Sequence, residues 1–336
     1  MAGAVADRAW RDAAPDEIEP ALAAVWREVG AHAPVARAMM SNLVVIRMCQ
    51  PGEPLDAFAP IHAATIDEVA GKHPSRVIVV AHEGGALARA PMAARVGVAT
   101  YGPPESRYAI EQVYVRSSCD EASLPSIVRR LVRGDLPTTI WCPGDLSQQG
   151  PIRALVGEGR QLLYDSRGWK DPFAGFRVVA GSIRGFEIDV ADLNWRRLAP
   201  VRRALLHAAD QLAIDDLRLA RLRITCGPAD AALAALLRGW LAARFGWLDA
   251  NAVRAEQIAT GSRLTLSIGD AASGWSLALS DEDVSVHPHG RPPYTLAVPR
   301  ESTSDAVAAE LRTLVADAAL RETVELLARS TASKSL

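Results

Sequence analysis

The sequence predicts an α/β fold: an N-terminal domain with a mostly parallel α/β sheet, followed by an α+β domain with an antiparallel meander. Three observations predict it. Apolar runs of strand length alternate with helical segments in the first half, and four short strand segments separated by turn residues follow late in the chain. The 336 residues also exceed what one hydrophobic core usually supports. We expect a helical segment over 1–38, the α/β domain over 39–168 and the α+β domain over 169–336.

The first half contains a predicted βαβ unit. The apolar runs 41–48 and 75–82 have the length and β-branched content of buried strands. Between them, 55–74 places Phe58, Ile61, Thr65 and Val69 near one helical face, and Pro74 ends that helix. The elements predicted after this unit are strands 94–100 and 108–116 joined by a Gly-Pro-Pro turn, a helix over 121–133 capped by Asp120, a strand over 137–142, a short helix near 150–158 and a strand over 161–165.

The second half begins where Gly, Pro and charged residues interrupt the pattern at 165–176. The first predicted helix there has an apolar stripe, and Pro200 within it predicts a kink or a late start. Its stripe comprises Leu198, Val201, Leu205, Ala208 and Leu212. The remaining predicted elements are a strand over 217–226, a helix over 229–245, meander strands near 263–269, 275–280, 283–288 and 294–299, and one last helix over 304–329 with a Ser/Thr/Asp-rich start.

Composition excludes several classes of function. Apolar residues make up 49% of the chain and charged residues 23%, which is ordinary for a globular protein. A net charge of −2 gives no overall attraction to nucleic acid or anionic membrane. The first 30 residues do not resemble a secretory signal, and Arg238 and Arg244 interrupt the most apolar stretch. We therefore expect a cytoplasmic protein with neither a nucleic-acid nor a membrane partner.

Cysteines and catalytic motifs give no strong signal. Cys49, Cys119, Cys142 and Cys226 are far apart and form no CxxC pair, so buried reduced thiols are expected and a redox switch stays open. No phosphate-loop, dinucleotide-binding, zinc-protease or nucleophile-elbow motif occurs. The sequence thus predicts no catalytic residue, no cofactor and no metal.

Three weaker features each have two interpretations. The strand that runs into His82–Gly85 indicates either a tight turn or a phosphate-binding turn of a sugar-phosphate or nucleotide site. His287 and His289 are two potential metal ligands without further ligands nearby in sequence. Asp165 and Ser166 lie at the carboxyl end of a predicted strand. They either cap the next turn or line the edge of the sheet at which ligands bind in α/β proteins.

The helix from residue 195 has a basic side. Arg196, Arg203, His207 and Asp210 lie opposite its apolar stripe, and 195–223 holds seven Arg against three Asp. This side is either a solvated face or a surface for an anionic ligand or acidic partner. The composition is also unusual in having eight Trp but only five Phe. Trp and Arg are frequent anchors of protein interfaces. Packing of the Trp side chains in the core is an equally good explanation.

Several segments together resemble one family. No single motif is decisive. The resemblance depends on the order and spacing of these segments over about residues 40 to 325. The segments are HPSRVIVV (73–80), EQVYV (111–115), LVRGDLPTTIWCPGD (131–145), QLLYDS (161–166), DLNWRRLAPVRRAL (192–205), LRGWLAARFG (237–246) and YTLAVPRES (294–302). They resemble landmarks of the glucose-6-phosphate dehydrogenase assembly protein family, OpcA.

The resemblance implies a non-enzymatic protein that binds glucose-6-phosphate dehydrogenase in the oxidative pentose phosphate pathway and raises its assembly or activity. It implies a structural motif at Asp135, Pro137 and Trp141, where Cys142 replaces a second Trp, and we add Asp165 and Ser166 to that motif. A second family motif is matched by Trp195, Arg197, Leu198, Pro200 and Arg202, with Val201 in place of a Trp. The candidate partner-binding residues are Trp195, Arg196, Arg197, Arg202, Arg203 and His207.

Overall fold

A computed structural model describes most of the chain: residues 5, 7–32, 34–49, 62–83, 92–148, 153–209, 222–246, 254–257, 263–269 and 275–330. Its strands and helices are, in chain order, β1 (Asp7–Ala13), α1 (Ile18–His32), β2 (Ala36–Arg37), β3 (Ser41–Cys49), α2 (Ala63–Lys72), β4 (Ser75–Glu83), β5 (Ala93–Tyr101), β6 (Tyr108–Ser117), α3 (Leu124–Leu131), β7 (Thr138–Cys142), α4 (Arg153–Val156), β8 (Gln161–Tyr164), α5 (Pro172–Phe186), β9 (Asp189–Asp192), α6 (Leu193–Arg197), α7 (Ala199–Ala209), β10 (Leu222–Cys226), α8 (Ala231–Phe245), β11 (Arg254–Gln257), β12 (Leu264–Ile268), β13 (Trp275–Leu279), β14 (Asp283–His287), β15 (Tyr294–Ala297), α9 (Thr303–Thr313) and α10 (Ala318–Arg329).

The chain forms two compact units. The first comprises Met1–Gly144, Pro151–Tyr164 and Ser302–Val315, and the second comprises Asp145–Gly150, Asp165–Glu301 and Ala316–Leu336. Helix α9 thus belongs to the first unit, where it packs on α2. The predicted domain boundaries at 38/39 and 168/169 stay a prediction. Chain order alone does not show that a helix late in the sequence, such as α9, packs in the first unit.

Parallel pairing dominates the sheet of the first unit. Its strands follow the order β1-β5-β6-β4-β3-β7-β8, with β2 also paired to β6. The pairs β4–β6, β3–β4, β3–β7 and β7–β8 are parallel, whereas β1–β5 and β5–β6 are antiparallel. The predicted α/β class is confirmed, and so is the βαβ unit, since β3 and β4 are adjacent and α2 lies between them in the chain. All nine residues of β4 are buried, as expected for a strand covered on both faces.

The second unit contains the predicted meander. Strands β12, β13, β14 and β15 pair in sequence and antiparallel, and β10 joins β12 on the other side. Strand β11, which the sequence pattern did not show, pairs parallel to β10. Helix α8 is buried at every residue from Ala231 to Ala242 and contacts α5 and α10. Its many alanines let neighbouring helices approach closely on more than one side.

Three predicted boundaries were wrong. Residues Asp7–Ala13 form a strand, so the N-terminal segment is helical only over α1. The helix predicted over 121–133 is a single 3-10 turn followed by α3. The last helix is two helices, because Leu314 adopts a left-handed conformation with φ of 40° between α9 and α10. Helix α2 is described from Ala63 onward, and the positions of Phe58, Ile61 and Leu212 lie outside the described residues.

Candidate functional site

The candidate site begins where β9 ends and two short helices follow. Asp192 caps α6: its Oδ1 accepts hydrogen bonds from the backbone N–H of Asn194 at 2.8 Å and of Ser166 at 3.1 Å. Pro200 lies in the first turn of α7, where the N–H that proline lacks would have no helical partner. The chain therefore starts a second helix at this point, and the late start predicted from Pro200 is confirmed.

The Asp192 carboxyl group is buried, with 2% of the residue exposed. Burial and, as a smaller cause, the charge of Asp165 raise the pKa of Asp192 to about 7, against the opposing hydrogen bonds from Ser166 and Asn194. Among the described residues, neither Oδ2 of Asp192 nor Oδ1 of Asn194 has a hydrogen-bond partner. The group therefore changes charge near neutral pH.

Asp165 and Arg197 form a bidentate ion pair. The two guanidinium nitrogens of Arg197 donate to the two carboxylate oxygens of Asp165 at 2.6 and 2.8 Å, and each side chain is 23% exposed. Asp165 Oδ1 also accepts a hydrogen bond from the backbone N–H of Arg167 at 3.0 Å. Asp165 thus holds the turn after β8 and fixes the last residue of α6.

Trp195 and Arg202 also make contacts inside the second unit. Trp195 is 3% exposed, and its Nε1 donates a 2.7 Å hydrogen bond to Oδ2 of Asp317. The Arg202 guanidinium carbon lies 3.8 Å from the centroid of the Trp195 ring, a cation–π distance. Burial lowers the pKa of Arg202 from its usual value. These two candidate residues fix α6 and α7 against the start of α10.

Three residues of α7 leave an exposed face. Arg203, Leu206 and His207 have the i, i+3, i+4 spacing of one helix face, and all three are exposed, Leu206 by 60%. The His207 ring meets the ring of Tyr294 edge-on, with centroids 5.8 Å apart. Arg196 is less exposed and donates to Glu301 at 2.6 and 3.1 Å. We call Arg203, Leu206 and His207 the α7 face; Asp210 lies outside the described residues.

The motif at Asp135, Pro137 and Trp141 belongs to the first unit. Asp135 is exposed, the Pro137 carbonyl accepts a 2.8 Å hydrogen bond from the backbone N–H of Asn42, and Trp141 is 2% exposed on β7. Asn42 was not among the residues predicted from the sequence. Its side chain donates to the Arg133 carbonyl and accepts from the Arg133 N–H, both at 2.9 Å. The sequence feature that could have identified Asn42 is its position as a single amide residue within the apolar run of β3.

The alternative sites receive little support from the described contacts. His82 is 3% exposed and its Nδ1 lies 3.2 Å from the Ser117 carbonyl, whereas Gly84 and Gly85 lie outside the described residues. His287 and His289 are both exposed. Over the described ranges, no group of three or more His, Cys, Asp or Glu side chains is placed to hold a metal ion.

The four cysteines are free thiols. Burial raises the pKa of Cys142 to about 12, and burial with the charge of Asp230 raises that of Cys226 to about 11. Cys49 is also buried, and Cys119 accepts a hydrogen bond from the Ser117 hydroxyl at 2.8 Å. Because the thiolate is the reactive form, Cys142 and Cys226 are poor nucleophiles at neutral pH.

Comparison with known protein families decides the family. The N-terminal domain model of the glucose-6-phosphate dehydrogenase subunit matches residues 66–181, and its C-terminal domain model matches residues 188–324. The chain belongs to the OpcA family. The resemblance carried by the sequence segments is confirmed, and both OpcA domains are present in order. Within the described residues, no helix of this chain is long and apolar enough to cross a membrane.

Two curated relatives share the OpcA name. The chain is 30% identical over 151 residues to the OxPP cycle protein OpcA of Synechococcus elongatus, covering 41% of this chain and 32% of the relative. It is 26% identical over 204 residues to the OxPP cycle protein OpcA of Nostoc punctiforme, covering 54% of this chain and 40% of the relative. The matches thus span about a third to two fifths of these relatives.

Solved structures give a weaker likeness. UDP-N-acetylglucosamine 3-dehydrogenase GnnA from Acidithiobacillus ferrooxidans aligns with a TM-score of 0.42 at 10% identity, over 86% of this chain and 96% of that one. The transcriptional regulator Gal80p from Kluyveromyces lactis aligns with a TM-score of 0.44 at 8% identity, over 90% and 93%. A likeness of this size carries no argument about what the chain binds or catalyses.

Proposed function

We propose that this chain binds glucose-6-phosphate dehydrogenase and acts as a non-enzymatic assembly factor and activator of that enzyme. The observation that carries the proposal is the ordered match of both family domain models, over 66–181 and 188–324. The sequence adds support, because it contains none of the common catalytic motifs.

An activator works through a difference in affinity. A ligand that binds two states of an enzyme equally shifts no equilibrium, so the chain must bind the active or assembled form of the dehydrogenase more tightly than the other form. This requires a surface that stays available in the folded chain. Side chains already committed to internal pairs are poorly suited to that role.

The α7 face meets this requirement best among the candidate residues. Trp195 is buried, Arg197 is paired with Asp165, Arg202 lies on the Trp195 ring and Arg196 is paired with Glu301. Arg203 and His207 instead present a guanidinium and an imidazole beside the exposed Leu206. An apolar centre flanked by an arginine and a histidine suits an acidic partner surface with one apolar pocket.

Size-exclusion chromatography of the purified chain with its cognate dehydrogenase tests the proposal. We expect one co-eluting complex, and we expect Arg203→Glu and Leu206→Ala to weaken it by about tenfold or more. Arg177→Glu, at an exposed arginine of α5, is the matched control and should leave binding unchanged. Failure of the unmodified chain to bind contradicts the function, whereas full binding by both α7 variants contradicts only the proposed surface.

A further inference from the structure

The antiparallel sheet of the second unit has an inner, buried face and an outer face. Burial alternates strictly along β10, β12, β13 and β14, and every buried position carries an apolar side chain. This alternation is typical of a sheet that packs on one face only. Helix α7 lies on the inner face, because its His207 ring meets Tyr294, the register partner of the buried Val286.

Small uncharged side chains form the centre of the outer face. The strand register places one row of residues side by side across β10, β12, β13, β14 and β15: Thr225, Thr265, Ala278, Ser285 and Thr295. Thr295 is exposed and the other four are half-buried. Charged residues make up 23% of the chain and usually concentrate where a surface is left to solvent. Their absence from this row favours contact with another molecule.

Two groups of opposite character flank the row on β14. Asp283 lies two residues before Ser285 and His287 two residues after it, so both side chains share the outer face. Oδ1 of Asp283 accepts a 2.9 Å hydrogen bond from the Ser280 hydroxyl, and His287 is exposed. A carboxylate and an imidazole are thus placed symmetrically about Ser285.

This symmetry makes the outer face complementary to itself. A two-fold axis along the row places Ser285 opposite Ser285 of a second copy. The same rotation places His287 of each copy opposite Asp283 of the other, so an imidazole meets a carboxylate at both ends. The charge pattern therefore selects a second copy of this chain as the occupant of the face.

The face is large enough for a weak dimer. Stacked sheets usually lie about 10 Å apart, and Ser, Thr and Ala side chains let two faces approach more closely. Five strands of four to five residues, about 4.8 Å apart, cover roughly 400 Å². Because side chains roughen this flat projection, two copies would bury on the order of 1,000 Å² of accessible surface, the lower limit for a specific interface.

We propose that the outer face of β10, β12, β13, β14 and β15 is the contact surface of a homodimer, in which two copies pack face to face about a two-fold axis through Ser285. Each copy supplies the same row of hydroxyl and methyl groups, and the two His287–Asp283 pairs fix the relative direction of the copies. The dimer does not rest on binding of the dehydrogenase, because the α7 face lies on the other side of this sheet.

Sedimentation equilibrium of the full chain tests the proposal. The chain has a mass of 35.9 kDa, and we expect reversible dimerisation with a dissociation constant in the micromolar range. Ser285→Arg places a long charged side chain on the two-fold axis and should weaken the dimer by about tenfold or more. Ser126→Arg, at an exposed serine of α3, is the matched control and should dimerise like the unmodified chain.

Two results would overturn the homodimer. One is an unmodified chain that stays monomeric far above micromolar concentrations, and the other is a Ser285→Arg chain that dimerises as tightly as the unmodified one. A monomeric chain whose binding to the dehydrogenase is lost in Ser285→Arg would assign the outer face to that enzyme instead, and would likewise contradict the proposal.

A charge exchange on β14 tests the two-fold axis. Asp283→Arg and His287→Asp should each weaken the dimer by about threefold or more, because each replaces an imidazole–carboxylate pair by groups of like character. The double variant restores opposite charges across the axis in the reverse direction and should dimerise more tightly than either single variant. A double variant no tighter than the single variants contradicts this arrangement.

Cross-linking keeps the test decisive if Ser285→Arg does not fold. A residue on a two-fold axis meets its own copy, so a short bis-maleimide should join two Ser285→Cys chains efficiently. Ser126→Cys is the control, and the unmodified chain, with its four free thiols, gives the background. Cross-linking of Ser285→Cys no greater than that background would overturn the proposed axis.

Discussion

The Arg202 guanidinium lies 3.8 Å from the centroid of the Trp195 ring, and the same indole donates a 2.7 Å hydrogen bond to Asp317. Both residues belong to the family motif from which the partner-binding candidates were taken. Their contacts join α6 and α7 to the start of α10, because Asp317 also caps that helix through Leu320 N–H at 2.9 Å. The motif therefore positions the α7 face.

Trp195→Phe should destabilise the chain. The change replaces the indole by a smaller aromatic ring and removes the donor to the Asp317 carboxylate. A hydrogen bond to a charged group contributes about 1.5 to 3 kcal/mol, and the smaller ring also loses packing. We expect the free energy of unfolding to fall by at least about 1.5 to 3 kcal/mol in urea titration. Trp10→Phe, at a partly exposed ring, serves as the control. A Trp195→Phe chain as stable as the unmodified one would show that this bond contributes nothing.

Arg197→Ala and Arg203→Ala should differ in stability although both lie in the basic segment. Arg197→Ala breaks the bidentate pair with Asp165, and we expect a loss of about 1 to 3 kcal/mol. Arg203→Ala, at an exposed position, should change stability by less than about 0.5 kcal/mol. Urea unfolding of both variants measures the difference. Equal losses would contradict the division between positioning residues and the α7 face.

Asp192→Asn should change how stability depends on pH. The folded-state pKa of Asp192 is raised to about 7 from 3.8, chiefly by burial. Between pH 4 and 7 the folded chain keeps a proton that the unfolded chain releases, so this group lowers stability as pH rises through that window. The Asn side chain still accepts from Ser166 and Asn194 without a charge. Relative to the unmodified chain, Asp192→Asn should thus gain stability from pH 5 to pH 8; identical pH profiles would refute the assignment.

Gly175→Ala should destabilise α5. A Cβ at Gly175 would collide with the Trp169 ring, which is 4% exposed and packs against Phe176 with centroids 5.4 Å apart. Overpacking of this kind costs about 1 to 3 kcal/mol. Gly181→Ala on the same helix has open space around the added methyl and should stabilise by about 0.5 to 1 kcal/mol. Thermal unfolding of the pair tests the packing, and equal shifts would contradict it.

Local signals in the sequence predicted most of the architecture. Apolar runs predicted β3 and β4, and turn residues predicted the meander. The Ser/Thr/Asp-rich segment predicted the start of α9, where Ser302 and Asp305 form a capping box. Strand β1 was missed because DRAWRDA exposes charged residues at a sheet edge and has no apolar run. The break at Leu314 was missed because nothing in the residue type predicts a left-handed conformation there.

The candidate site was only partly predictable. Helical periodicity placed Arg203 and His207 on the polar side of α7, and both are exposed. It also placed Arg196 there, but the pairing of Arg196 with Glu301 joins residues 105 positions apart, which no local pattern reveals. The same holds for Asn42 and Arg133, and for the indole of Trp141 beside His62. Contacts between distant segments decide which side chains remain available.

Initial-rate measurements on the cognate dehydrogenase show whether this chain activates the enzyme. The initial rate of the cognate glucose-6-phosphate dehydrogenase is measured at fixed glucose 6-phosphate and NADP while the purified chain is added in increasing concentration. We expect a saturable rise in rate, with the curve for Arg203→Glu displaced to higher concentration and that for Arg177→Glu unchanged. A dehydrogenase rate that is indifferent to saturating amounts of the chain, or turnover of either metabolite by the chain alone, would contradict it.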